Sequence, residues 1–191
     1  TALGNYQLAV TLYLEAKDIR KQVLGTQHDE YATSLNNLAL LYKRMGNYEA
    51  ALPLYTEAET ICRNSLGTHH AQYALTLNNL GSLLRILGQY ESALPLFEQA
   101  MTIFRQTLGT RHVDYTTVLG NQALLLSDMG NYEAALHLLE EVAITDREVV
   151  GKDNPDYAAD LINLGNHYSQ LRNDTSAIGM IQEAVGIYAK A

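Results

Sequence analysis

The tripeptide Gly4-Asn5-Tyr6 returns as Gly46-Asn47-Tyr48, Gly88-Gln89-Tyr90 and Gly130-Asn131-Tyr132, so each copy lies 42 residues after the last. At the same offset Leu24-Gly25 becomes Leu66-Gly67, Leu108-Gly109 and Val150-Gly151, while Tyr31 becomes Tyr73, Tyr115 and Tyr157. A fixed period of this kind constrains the fold more than any composition can. Units of about 20 to 50 residues that recur in sequence stack as arrays, each burying its apolar face against the next. The fifth copy of the tripeptide has decayed to Arg172-Asn173-Asp174.

Each period divides into two helices. The first is predicted from about residue 30 to 45, where Leu35, Leu38, Ala39 and Tyr42 fall on one stripe at helical spacing. Gly46 supplies the left-handed residue that ends it. The second opens at Asn47, a favourable cap, and buries Ala51, Leu52, Tyr55, Ala58 and Ile61 until Gly67. Short polar connections (GTQHDEYA, GTHHAQYA, GTRHVDYT, GKDNPDYA) launch the next first helix. His28, His70 and His112 recur there and become Asn154, which points to capping of helix starts, and Pro155 suits a first helical turn. Pro53 and Pro95 break the local rule by falling inside the second helix, and their shared offset marks a tolerated bend rather than a break.

Composition narrows the function. No apolar run approaches the roughly 18 residues of a membrane span, and the N-terminus lacks the pattern of a signal peptide. The formal charge of −8 with no basic cluster disfavours nucleic acid as a partner. The single cysteine, Cys62, excludes an internal disulfide and fits a reducing cytosol, so a cytoplasmic location is expected. Candidate chemistry is sparse. His69-His70 is one adjacent pair without further ligands, Cys62 has no histidine placed to activate it, and Glu140-Glu141 reads as a solvated helix edge. No phosphate loop or nucleophile elbow is present, so no catalytic residue, metal site or cofactor is expected.

The repeat resembles the tetratricopeptide repeat, in which a large residue, Leu-Gly and an aromatic mark the first helix and Ala, a large residue and Ala mark the second. Those places hold Leu35, Leu38-Ala39, Tyr42, Ala51, Tyr55 and Ala58, then Leu77, Leu80-Gly81, Leu84, Ala93, Phe97 and Ala100. The next copies read Leu119, Gln122-Ala123, Leu126, Ala135, Leu139 and Val142, and Leu161, Leu164-Gly165, Tyr168, Ala177, Ile181 and Ala184. The longer period, with LGTxH before each first helix, is most similar to the variant of kinesin light chains and their bacterial relatives. It departs in having no tryptophan, Gln122 in place of leucine and no heptads for a motor-binding coiled coil.

The resemblance implies an all-α, right-handed superhelical solenoid of antiparallel helix pairs in one domain over residues 1–191. Residues 1–25 would form the second helix of a truncated repeat, followed by four helix pairs at 26–67, 68–109, 110–151 and 152–191.

With the Leu35 stripe as the buried direction, Thr33, Asn36, Asn37, Leu40 and Arg44 fall on the opposite side of the first helix. In stacked pairs the first helices line a concave surface. This places Asn37, Asn79, Asn121 and Asn163 in a ladder, with Asn36 and Asn78 beside it. The resemblance implies that such asparagines bond the backbone of an extended peptide; the alternative is that they tie one helix to the next. A neutral hydrogen bond nets only about 0.5 to 1.5 kcal/mol, so Leu40, Ser82, Leu124 and Asn166 would supply selectivity. Lys43, Arg44 and Arg85 would attract acidic groups at one end of the groove, or stand solvated.

The expected function is therefore a non-enzymatic scaffold that binds a peptide segment or partner helix. The alternative is a regulatory or oligomerising array attached to an effector domain, with no peptide ligand of its own. The chain opens at Gly4-Asn5-Tyr6, read as a turn before a second helix, and closes on a second helix at Ile187 and Tyr188. Uncapped ends of this kind predict either a piece of a longer array or self-association.

Overall fold

A computed structural model describes residues 2–190, with side chains from Tyr6 to Lys190. Among the described residues there are nine helices and no strand: α1 Ala2–Leu24, α2 Asp29–Arg44, α3 Tyr48–Leu66, α4 Ala71–Ile86, α5 Tyr90–Thr107, α6 Val113–Asp128, α7 Tyr132–Val149, α8 Pro155–Gln170 and α9 Asp174–Tyr188. Contacts group them into two compact units, Thr1–Ile103 and Phe104–Ala191, with the boundary inside α5. In the first unit α1 packs on α2, α2 on α3 and α3 on α4, and α2 also touches α4. In the second, α6, α7, α8 and α9 pack consecutively.

Local signals set the helix ends. His28, His70 and His112 each accept an amide hydrogen through Nδ1, from Glu30, Gln72 and Asp114, and Asn154 Oδ1 accepts from Asp156. The periodic histidines are thus helix caps that satisfy a first-turn N–H otherwise left without an intrahelical partner. Asn47, Asn131 and Asn173 cap second helices in the same way. Gly46 stops α2 at φ +76°, a conformation that costs a side-chain-bearing residue about 1 kcal/mol or more. In the decayed copy Arg172 adopts φ 58° instead.

The first tripeptide behaves differently from its copies, because α1 already runs through Gly4 and Asn5. This corrects the turn expected there. A glycine turn forms where one helix ends so that the next can fold back, and the described chain around Gly4 is a single helix.

Burial follows the predicted stripes. Leu35, Leu38, Ala39, Ala51, Tyr55, Ala58 and Ile61 are buried, as are their counterparts Leu77, Leu80, Ala93, Phe97 and Ala100. Close approach limits size at Gly81, where a Cβ would sit 3.1 Å from the Phe97 ring. Pro53 and Pro95 lie exposed within continuous helices. Gln122, in the column of Leu38, Leu80 and Leu164, is buried with no partner for its Oε1.

Polar clasps reinforce the packing. The hydroxyls of Tyr31, Tyr115 and Tyr157 donate to Glu57, Glu141 and Glu183, each 26 residues on, and Tyr168 donates to Glu140 at 2.7 Å. Glu141 is exposed and Glu140 half-exposed, as a solvated helix edge implies, and both also accept from tyrosine hydroxyls. Burial and these carboxylates raise the Tyr115 and Tyr157 hydroxyls above the ordinary tyrosine range.

Candidate protein-interaction surface

The first helices carry the predicted site residues, and the structure sorts them into two groups. Asn36 and Asn78 are only 3% and 5% exposed, which corrects their placement on the open face. A first helix in an array has two buried directions, one toward its own second helix and one toward the neighbouring first helix. A single apolar stripe reveals only the former.

In the first unit Asn79 Nδ2 donates to Asn36 Oδ1 at 3.1 Å, tying α4 to α2. Lys43 Nζ donates to Ser82 Oγ at 3.1 Å across the same two helices. Asn79, Asn36, Lys43 and Ser82 thus join neighbouring helices. Asn37 is half-buried and its amide makes no hydrogen bond among the described residues.

Lys43 and Arg44 close α2, and Arg85 closes α4 in the last turn, where cations are favoured by the helix dipole. Burial first, then repulsion from Arg44 and Arg85, lowers the Lys43 ammonium below its ordinary range. An anion placed there would relieve that repulsion.

In the second unit Asn121 is half-buried, while Asn163, Leu124 and Asn166 are exposed. The Asn163 side chain has no hydrogen-bond partner among the described residues. Asn166 lines an open recess of about 260 Å³ with Ser127, Asp128, Tyr132, His167 and Gln170. Ser127 Oγ hydrogen-bonds with His167 Nε2 across α6 and α8, and His167 Nδ1 lies 2.9 Å from the Asn163 carbonyl oxygen. Because that carbonyl can only accept, Nδ1 donates in that contact, while the Ser127 hydroxyl also lies 2.9 Å from the Ala123 carbonyl oxygen, to which it can donate.

Sequence reading missed Ser127 and His167. The signal was available: His167 occupies the column of Leu41, Leu83 and Leu125, where a histidine is out of pattern.

Cys62 is buried beside Thr76, and burial pushes its thiol up, away from the reactive thiolate. Among the described residues no group of three or more His, Cys, Asp or Glu side chains is arranged to hold a metal, and no helix is long and apolar enough to cross a membrane.

Stacked antiparallel helix pairs with a polar first-helix face define a helical-repeat protein of the kind that engages other proteins. The tetratricopeptide repeat model matches residues 1–64, 42–106, 72–143 and 114–190, and the chain belongs to the tetratricopeptide repeat family. Its fold is that of solved repeat proteins. BtubC (BKLC) from P. vanneervenii is similar at TM-score 0.87 and 24% identity, over 99% of this chain and 75% of that one. A Podosopora anserina protein with nearly identical TPR-like repeats, named as a kinesin light chain, is similar at TM-score 0.81 and 23% identity, over 99% and 90%. MamA is similar at TM-score 0.66 and 16% identity, over 99% and 92%. No curated protein matches the chain.

Proposed function

We propose that the chain is a non-enzymatic scaffold whose first-helix surface receives a peptide segment or a partner helix. The observation that carries this reading is the division among the ladder amides. Asn79 is committed to Asn36, whereas Asn37 and Asn163 keep their donors and acceptors for another molecule. Leu40, Leu124 and Asn166 stand on the same helices to read side chains, and the cations Lys43, Arg44 and Arg85 favour acidic groups at the end of α2 and α4. A cytoplasmic setting goes with a buried, unpaired thiol at Cys62.

The test is a peptide-library pull-down with the whole chain and with the double variant Asn37→Ala, Asn163→Ala. The proposal expects peptides retained by the native chain to be lost or weakened about tenfold or more with helicity unchanged, the equivalent of one to two hydrogen bonds. Retained affinity for the same peptides in the variant contradicts it.

A second reading, an oligomerising array, is favoured by a different observation. Ile178, Ile181, Val185 and Tyr188 form an exposed stripe along α9, and Leu8, Leu12, Ile19 and Val23 form another along α1. Light scattering over a concentration series separates the two readings: growth of mass with concentration, abolished by Val185→Lys, supports association, and constant mass rejects it.

A further inference from the structure

The contact between a second helix and the first helix after it recurs at one pair of positions, and its chemistry changes along the chain. Arg20 and Ser34, Cys62 and Thr76, Phe104 and Val118, and Asp146 and Asp160 are equivalent by the 42-residue period. Arg20 Nη1 donates to Ser34 Oγ at 2.7 Å. Cys62 Sγ lies 3.7 Å from Thr76 Oγ1, and Phe104 and Val118 are both buried. At the fourth place, between α7 and α8, two carboxyl groups meet. Asp146 lies close enough to act on Asp160 across this contact, and Asp160 Oδ2 is buried and receives no donor from the described residues.

Ionised carboxyl groups can only accept, so two of them set against each other, with no donor reaching the buried Asp160 Oδ2, are joined only where one keeps a proton. The charges that act on Asp160 are both negative, Asp146 of α7 and Asp156 of its own helix. Arg147 of α7 and Glu183 of α9 act on the adjacent Tyr157. We infer that Asp160 keeps a proton that it donates to Asp146, and that this proton holds α8 against α7, making the last helix pair dock more firmly in mildly acidic than in alkaline solution.

The direction follows from burial first and from the Asp146 and Asp156 charges next, which push the Asp160 carboxyl up to about 7 from an ordinary 3.8. The folded chain therefore holds a proton that the unfolded chain releases above about pH 4. Stability from this pair is greatest below that value, declines as pH rises toward 7, and is gone above it. A salt-bridged carboxylate behaves in the opposite sense. The other three pairs use no carboxyl group, so among these equivalent pairs the acid preference belongs to the α7–α8 contact alone.

The test is urea unfolding of the whole chain, followed by helicity, at about pH 5.5 and about pH 8. In the native chain the unfolding equilibrium constant should rise about tenfold or more across that interval, a shift discounted because Asp160 is only partly buried. Asp160→Asn, whose amide can donate to Asp146 at any pH, should abolish the rise and keep native helicity, while Glu133→Gln at the exposed start of α7 should retain it. An Asp160→Asn chain with the native pH slope overturns the proposal. Should that variant fail to fold, carboxyl carbon NMR of Asp160 in the native chain decides: a midpoint above about 5.5 supports the shared proton, and one below it overturns it.

Discussion

The pair α2–α3 and the pair α8–α9 each begin on side-chain caps, His28 and Asn47 in one and Asn154 and Asn173 in the other, and place Leu38 and Leu164 in the same buried position. What differs is the column chemistry laid over that backbone. Ser34 becomes Asp160, Leu41 becomes His167, Gly46 becomes Arg172 and Cys62 becomes Tyr188. Burial differs as well: Tyr55 and Cys62 of α3 are fully buried where α3 packs on α4, whereas Ile181 and Tyr188 of α9 are 39% and 45% exposed. Caps and turns fix the helix pair locally, and the remaining positions are free to change what each contact is made of.

If that separation holds, Leu38→Ala and Leu164→Ala should each cost about 2 to 5 kcal/mol in urea melts, through lost burial and a cavity. A loss below about 0.5 kcal/mol at Leu164 would mean that the last pair does not share the core of the earlier one. The second helices should diverge. Tyr55→Ala, at a fully enclosed ring, is expected to cost about 3 to 5 kcal/mol, and Ile181→Ala well under half of that. Equal losses would show that the α9 face is covered in solution.

The smallest expected effect is at the decayed turn. Arg172→Gly should raise stability by about 1 kcal/mol, because φ 58° is free of strain only for glycine. A loss would mean that the arginine side chain holds something the turn needs.

The helix pairs, their caps and their core were legible in the sequence because each rests on a local signal repeated at a fixed offset: His28 at a helix start, Gly46 at a helix end, the Leu35 stripe between them. The site was less legible. Asn36 and Asn78 read as exposed because helical periodicity reports one buried face, while an array gives each first helix two. The tripeptide at Gly4 read as a turn because its copies are turns, although the backbone there is helical. His167 and Asp160 pass unnoticed in a single helix and stand out only when the columns are compared, since neither makes a motif with its sequence neighbours. Which residues face another molecule depends on pairings such as Asn36 with Asn79, and these are tertiary.

The account rests on the claim that the backbone of each helix-pair contact is common property and only its side chains differ. Transplanting one contact into another tests this directly: Asp146→Cys with Asp160→Thr, in the whole reduced chain, recreates between α7 and α8 the pair that Cys62 and Thr76 form between α3 and α4. The account predicts native helicity and a urea midpoint at about pH 8 higher than that of the native chain, with the acid preference gone. Lost helicity, or a lower midpoint at that pH, would contradict it.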